Sequence, residues 1–106
     1  MRRFYRYIYI NGEPLSFTVY RTQKAKAKLQ EIANSQINRR EKKKRFALRF
    51  KFFLTKDIKD LDNLVKTYCD VLTGILYEDD IQVYRIIAEK IPSPDNPLTV
   101  IGYKNF

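Results

Sequence analysis

Two short stretches of this chain carry residue types and spacings that could do chemistry. They are Asp60-Leu61-Asp62-Asn63-Leu64-Val65-Lys66 and, about one helix-length later, Glu78-Asp79-Asp80-Ile81-Gln82-Val83, in a protein of formal net charge +9. Asp60 and Asp62 are two residues apart, so on one continuous helix they would point about 200° away from each other. They converge only if Asp60 stands just outside the helix, in extended or capping geometry. Asp80 opens the element that follows. If that strand lies beside the one ending near Thr55, Asp80 can return to the helix N-terminus. Two unit charges ~5 Å apart repel by roughly 3 kcal/mol at an effective dielectric of 20. The helix N-terminus offsets only about 0.3–1 kcal/mol per charge. A bound Mg²⁺, or Mn²⁺, would remove that repulsion, because hard cations take carboxylate oxygens; it could also activate water and polarise a phosphoryl oxygen. Lys66, one turn beyond Asp62, could neutralise charge on a phosphorus centre or its leaving oxygen.

A purely structural account of the same residues stands beside this one. An Asp at a helix N-cap contributes ~1 kcal/mol, and an Asp62–Lys66 i,i+4 pair ~0.3–0.5 kcal/mol. Asp79-Asp80 at the opening of a strand weighs toward the site, because strands disfavour Asp.

Composition narrows the chemistry further. Histidine is absent, which removes the commonest general base and transition-metal ligand. Cys69 is the single cysteine, so there is neither an internal disulfide nor a thiolate cluster for zinc, and it is assigned to helix packing. Lysine and arginine number 21 against 12 acids, which favours an anionic partner. Lys24, Lys28, Arg39, Arg40, Lys42, Lys43, Lys44, Arg49 and Lys51 are candidate contacts to nucleic-acid phosphates, and solvated surface charge is the plain alternative for any one of them. Phe4, Tyr5, Tyr7 and Tyr9 could stack on unpaired bases, with half of them expected to face the core. Lys44-Arg45-Phe46-Ala47-Leu48-Arg49-Phe50 echoes an RNA-recognition strand but lacks its glycine, so a non-catalytic nucleic-acid binder is the rival reading. No apolar run reaches the ~20 residues of a membrane span, and the N-terminal residues carry no apolar signal core, so a cytoplasmic location is expected.

The elements that must position these residues follow from periodicity. Residues 4–10 read as a strand, Asn11 to Pro14 as a turn and residues 17–20 as a further short strand. A helix follows from Thr22, its N-cap, with Ala25, Leu29, Ile32 and Ile37 on one thin stripe. Phe46, Leu48, Phe50, Phe52 and Leu54 alternate with Arg45, Ala47, Arg49, Lys51 and Phe53, a strand with an apolar face and a partly basic face that is not fully covered. Leu61, Leu64, Val65, Tyr68, Leu72, Ile75 and Leu76 mark the second helix, with Gly74 in its last turn. Residues 81–91 read as a strand, Pro92 to Pro97 as a turn, and Leu98 to Tyr103 as its hairpin partner. One domain spanning residues 1–106 is expected, of the α+β class. It is a two-layer sandwich of a mixed sheet with two helices on one face, in the order β-(β)-α-β-α-β-β.

Asp60-Leu61-Asp62-Asn63-x-x-Lys66, Asp70-x-Leu72-x-Gly74, Glu78-Asp79-Asp80-x-Gln82-Val83 and a trailing Lys90 together resemble the RusA-type Holliday junction resolvases. The motif block covers roughly residues 57–90, and Gly12 to Ser16 only loosely follows the family's Pro-rich opening. The resemblance implies a Mg²⁺-dependent endodeoxyribonuclease acting as a homodimer on four-way DNA junctions, in recombination and repair. It implies that Asp60, Asp62 and Asp80 are the catalytic metal-binding carboxylates and Lys66 the catalytic lysine, with Asp79 a neighbour. Two sites related by a two-fold axis would supply the two opposed cuts that a junction requires. Flaps, forks or other branched DNA are the alternative substrates.

Overall fold

The computed structural model describes residues 4–16, 22–37, 44–56 and 58–106. The short strand expected at 17–20, the side chain of Thr22 and the basic residues Arg39, Arg40, Lys42 and Lys43 lie outside the described residues. The elements are β1 (Arg6–Asn11), α1 (Thr22–Asn34), β2 (Phe46–Leu54), α2 (Leu61–Leu72), a 3₁₀ turn (Asp80–Gln82), β3 (Val83–Pro92) and β4 (Leu98–Asn105). They form the expected α+β architecture, a mixed four-stranded sheet with two helices packed on one face.

β2 makes the core because its alternation is strict. Phe46, Leu48, Phe50, Phe52 and Leu54 are all buried on the helix side. The Phe50 and Phe52 rings stack at 5.6 Å, and Phe52 meets Tyr68 of α2 at 5.5 Å. Ile8 and Ile10 from β1, Leu29 and Ala33 from α1, and Leu64, Val71 and Leu72 from α2 close the same cluster. Each large apolar side chain so buried contributes about 1.5–3 kcal/mol, which holds the helices over the sheet.

The opposite face stays open. Tyr7 and Tyr9 of β1 lie there beside Arg49, Lys51 and Phe53 of β2 and Val100 of β4. Tyr5, Tyr7 and Tyr9 form a ladder with successive ring centroids 6.4 Å apart. The expectation that half of the N-terminal aromatics face the core is not met. β1 gives its core face to Ile8 and Ile10, and the odd-numbered tyrosines follow the pleat outward.

The strand order is β1-β4-β2-β3, which corrects the expected hairpin. β4 does not pair with β3; it passes beyond β2 and inserts antiparallel between β2 and β1. Its residues explain the choice. Thr99, Ile101 and Tyr103 are buried on the core side, while Gly102 lets the tyrosines lie close on the other. A Cβ at Gly102 would stand 3.0 Å from the Tyr7 ring. β3, with Tyr84, Ile86 and Ile87 exposed, is left as the sheet edge, parallel to β2.

α2 ends at Leu72, earlier than its apolar stripe. Gly74 takes φ +90° and its N–H donates to the Tyr77 carbonyl at 2.6 Å, so the chain turns there. Leu76 and Tyr77 are buried from the following loop rather than from the helix.

Candidate active site

Asp60 is the N-cap residue of α2, in extended conformation (φ −74°, ψ 137°), and its side chain makes no capping hydrogen bond. The boundary between Asp60 and Asp62 that convergence requires is therefore present. Asn63 links the two: its side-chain amide donates to Asp60 Oδ2 at 3.4 Å, and its backbone N–H to Asp62 Oδ1 at 3.0 Å. Both carboxylates are exposed. The approach to the helix is braced by Lys90, whose Nζ donates to the Lys59 carbonyl at 2.9 Å, and by Lys59, whose Nζ donates to the Pro14 carbonyl at 2.8 Å. Glu13 accepts from the Thr55 N–H and hydroxyl, tying the turn after β1 to the same corner. These braces were not foreseen as parts of the site; the trailing Lys90 was the only signal for them.

Asp80 stands elsewhere. It lines a groove of about 530 Å³ between α2 and β3, together with Lys66, Cys69, Asp70, Thr73 and Ile86. Its neighbour Asp79 has a structural duty. The Asp79 carboxylate accepts from the Ile81 N–H at 3.1 Å, while Gln82 Oε1 accepts from the Asp79 and Glu78 N–H groups, a reciprocal cap of the 3₁₀ turn. Gln82 also donates to the Lys44 carbonyl at 2.7 Å, fixing the turn to the start of β2. Asp70, one turn beyond Lys66, pairs with Lys26 of α1 at 2.9 Å. Burial pushes the Cys69 thiol up to about 11, the Asp80 charge adding to the shift and a Tyr77 hydrogen bond opposing it. Tyr77 is raised as well, chiefly by burial.

The expected return of Asp80 to the helix N-terminus does not occur within one chain. β3 lies beside β2, but in parallel: Val83 pairs with Phe46, and Pro92 with Leu54. Asp80 therefore meets the beginning of β2, and α2 starts from its end. Asp60 is the N-cap of α2 and Asp62 lies in its first turn, whereas Asp80 lies alongside the later turns of the helix, in the groove with Cys69, Asp70 and Thr73. Among the described residues no three His, Cys, Asp or Glu side chains come together as a metal site. The ligand set that the resemblance implies does not fit a metal inside a single chain.

The family model for endodeoxyribonuclease RusA matches residues 6–102 of the 106-residue chain. The chain belongs to the RusA endodeoxyribonuclease family. No match is found among curated proteins. The family match covers β1 to β3, both helices and β4 as far as Gly102, so the two acidic stretches sit inside it rather than at its margin. Of the basic candidates within the described residues, Lys24 and Lys28 are exposed on α1, in the helix layer, and Lys44 just before β2. Arg49 and Lys51 lie on the open face of the sheet. Arg49 stacks over the Tyr5 ring at 5.5 Å. The RusA fold thus spreads its positive charge over two faces. None of its described helices is long and apolar enough to cross a membrane.

Proposed function

We propose that this RusA-family chain is a divalent-metal-dependent endodeoxyribonuclease that resolves four-way DNA junctions by paired symmetric nicks, as a homodimer serving recombination and repair in the cytoplasm. The observation that carries the reading is the family match over residues 6–102, joined to an Asp60 carboxylate that sits at a helix start without capping it. In this reading Asp60, Asp62 and Asp80 are the acids that would hold Mg²⁺, or Mn²⁺, a set that the described residues of one chain do not bring together by themselves, and the ion would supply Lewis acidity toward the scissile phosphate. Lys66 offers its ammonium to the phosphate oxygens, and its place between Asp62 and Asp70 keeps it on the helix flank. Lysines and arginines hold the junction arms through phosphates, which position the duplex without reading sequence.

The test is nicking of a synthetic four-way junction with and without Mg²⁺. Asp62→Asn and Asp80→Asn should each lower cleavage by at least roughly a hundredfold, with junction binding retained. Cleavage that persists in chelator would overturn the metal dependence. Equal binding to junction and linear duplex would leave an endonuclease without junction selectivity, and preferential cutting of flaps or forks would move the substrate to other branched DNA.

A further inference from the structure

The open face of the sheet carries chemistry that cleavage does not use. Tyr5, Tyr7 and Tyr9 follow one another along β1 with successive ring centroids 6.4 Å apart. Tyr7 and Tyr9 are 42% and 53% exposed, although aromatic rings contribute most when they are covered. Gln36 fixes the strand beneath them. Its amide nitrogen donates to the Tyr9 carbonyl and its amide oxygen accepts from the Tyr9 N–H, both at 2.8 Å. The outer edge of β1 is closed at that point, so the backbone under the ladder is anchored while the rings stay accessible.

Register sets cations beside these rings. Gly102 stands between Tyr7 and Arg49, and Val100 between Tyr9 and Lys51. Tyr7, Tyr9, Arg49, Lys51, Phe53 and Val100 line one hollow of about 300 Å³. Arg49 and Lys104 lie over the Tyr5 ring at 5.5 and 4.7 Å. Among the described residues, none of Arg49, Lys51 and Lys104 pairs with a carboxylate. Arg49 Nε is buried without a hydrogen-bond partner. Buried polar groups in that condition are uncommon, and the partner that suits a guanidinium is an anion. Glu89, in register with Lys51, is the single acid that the described strands carry on this face. Its one negative charge stands against Arg49, Lys51, Arg85 and Lys104.

Exposed rings beside unpaired cations fit a single strand of DNA. Bases stack on aromatic side chains whatever their sequence, because every base has a π face, and the cations take the phosphates between them. Spacing sets this apart from duplex. Bases in a duplex rise ~3.4 Å, about half the separation of the rings, and each base face is already covered by its neighbours. An unpaired strand drawn out to one base per ring matches the ladder. A polyanion without bases would engage the cations and leave the tyrosines unused.

We propose that the open face of the sheet is a second, non-cutting nucleic-acid site, which takes an unpaired DNA strand by stacking bases on Tyr7 and Tyr9 while Arg49, Lys51 and Lys104 hold its phosphates. It lies across the sheet from α2, which carries Asp62 and Lys66. Fully paired arms offer this face nothing to stack; a tail, flap or gap in a branched substrate fills it. The choice of DNA over RNA rests on the nuclease reading, and the stacking site does not.

Fluorescence anisotropy of a labelled oligothymidine of about twelve residues tests the site, in chelator so that no cleavage intervenes. Tyr7→Leu and Tyr9→Leu keep apolar bulk and remove the ring. Each should weaken binding about tenfold, and Tyr9→Phe should bind as wild type does. The chain has no tryptophan, so quenching of tyrosine emission reports the stacking and should shrink in the leucine variants. Arg49→Ala with Lys51→Ala should lower the salt slope for oligothymidine by roughly 1.4. Blunt duplex should bind the leucine variants and wild type alike. Leucine variants that fold, by circular dichroism, and bind oligothymidine as tightly as wild type would overturn the proposal. So would a loss of duplex binding in the same proportion. Should Tyr7→Leu unfold because its ring packs on Gly102, Tyr9→Leu alone decides. Binding of oligouridine with none of oligothymidine would overturn the assignment to DNA. A chain that binds oligothymidine in this way but never nicks a junction would sink the nuclease reading and leave the stacking site standing.

Discussion

Asp79 and Asp80 are identical residues side by side, and the backbone gives them different work. Asp79 closes a reciprocal cap with Gln82; Asp80 faces the groove beside Lys66 and Cys69. Adjacent acids at a strand opening read in sequence as one signal, but half of it is the local cost of a 3₁₀ turn. Cys69 has a simpler role, and a measurable one. Its thiol is held at about 11 instead of 9.0, mainly because burial disfavours the thiolate. The native state therefore binds that proton more tightly than the unfolded chain. The resulting stability is complete below about pH 9 and is lost as pH rises through about 11. Two units correspond to roughly 2–3 kcal/mol, and raised Tyr77 pushes in the same direction. Urea unfolding of the metal-free protein should show a constant midpoint from pH 7 to 9 and a falling one above. Cys69→Ala should flatten the fall, and an unchanged slope in that variant would assign the alkaline loss elsewhere.

Among the elements, α2 shows how one backbone position sets the end of a helix whose apolar stripe runs on. Gly74 adopts φ +90° with open space around the missing Cβ, so the residue is required by conformation rather than by crowding. Gly74→Ala should cost about 1–2 kcal/mol in denaturant unfolding, with the fold retained; a neutral result would mean that the turn relaxes to another conformation. β2 was legible in full, since five alternating apolar residues define both its span and its core face. The same periodicity names faces and never neighbours. Leu98 to Tyr103 after a Pro-rich turn reads as a hairpin with β3, yet the small residues Val100 and Gly102 suit it to a central place under the tyrosines. Whether β3 runs parallel or antiparallel to β2 is likewise a non-local fact, and the position of Asp80 hangs on it. Asp60 at the N-cap and Asp62 and Lys66 on α2 are legible in the sequence because their positions are local to one helix start.

At the scale of the whole molecule, the question is which face meets the DNA. The groove beside Asp80 lies between α2 and β3 and includes Ile86, in register with Leu48 on the helix side. Lys66 projects from α2 into that layer, and Lys24 and Lys28 are exposed on α1 in the same layer. Arg49 and Lys51 lie across the sheet with the tyrosine ladder. A chain of net charge +9 binds a polyanion from any side weakly, so affinity alone does not locate the contact. Counterion release does, because each neutralised phosphate adds about 0.9 to the slope of log K against log salt. If the acids cut the strand that the helix layer holds, Lys24→Ala with Lys28→Ala should reduce that slope by roughly 1.8 per chain, and cleavage should fall with binding. Arg49→Ala with Lys51→Ala should leave the slope unchanged. The reverse outcome, a slope carried by Arg49 and Lys51, would place the junction on the open sheet, where Tyr7 and Tyr9 could stack on its bases, and would separate the binding face from the cutting end.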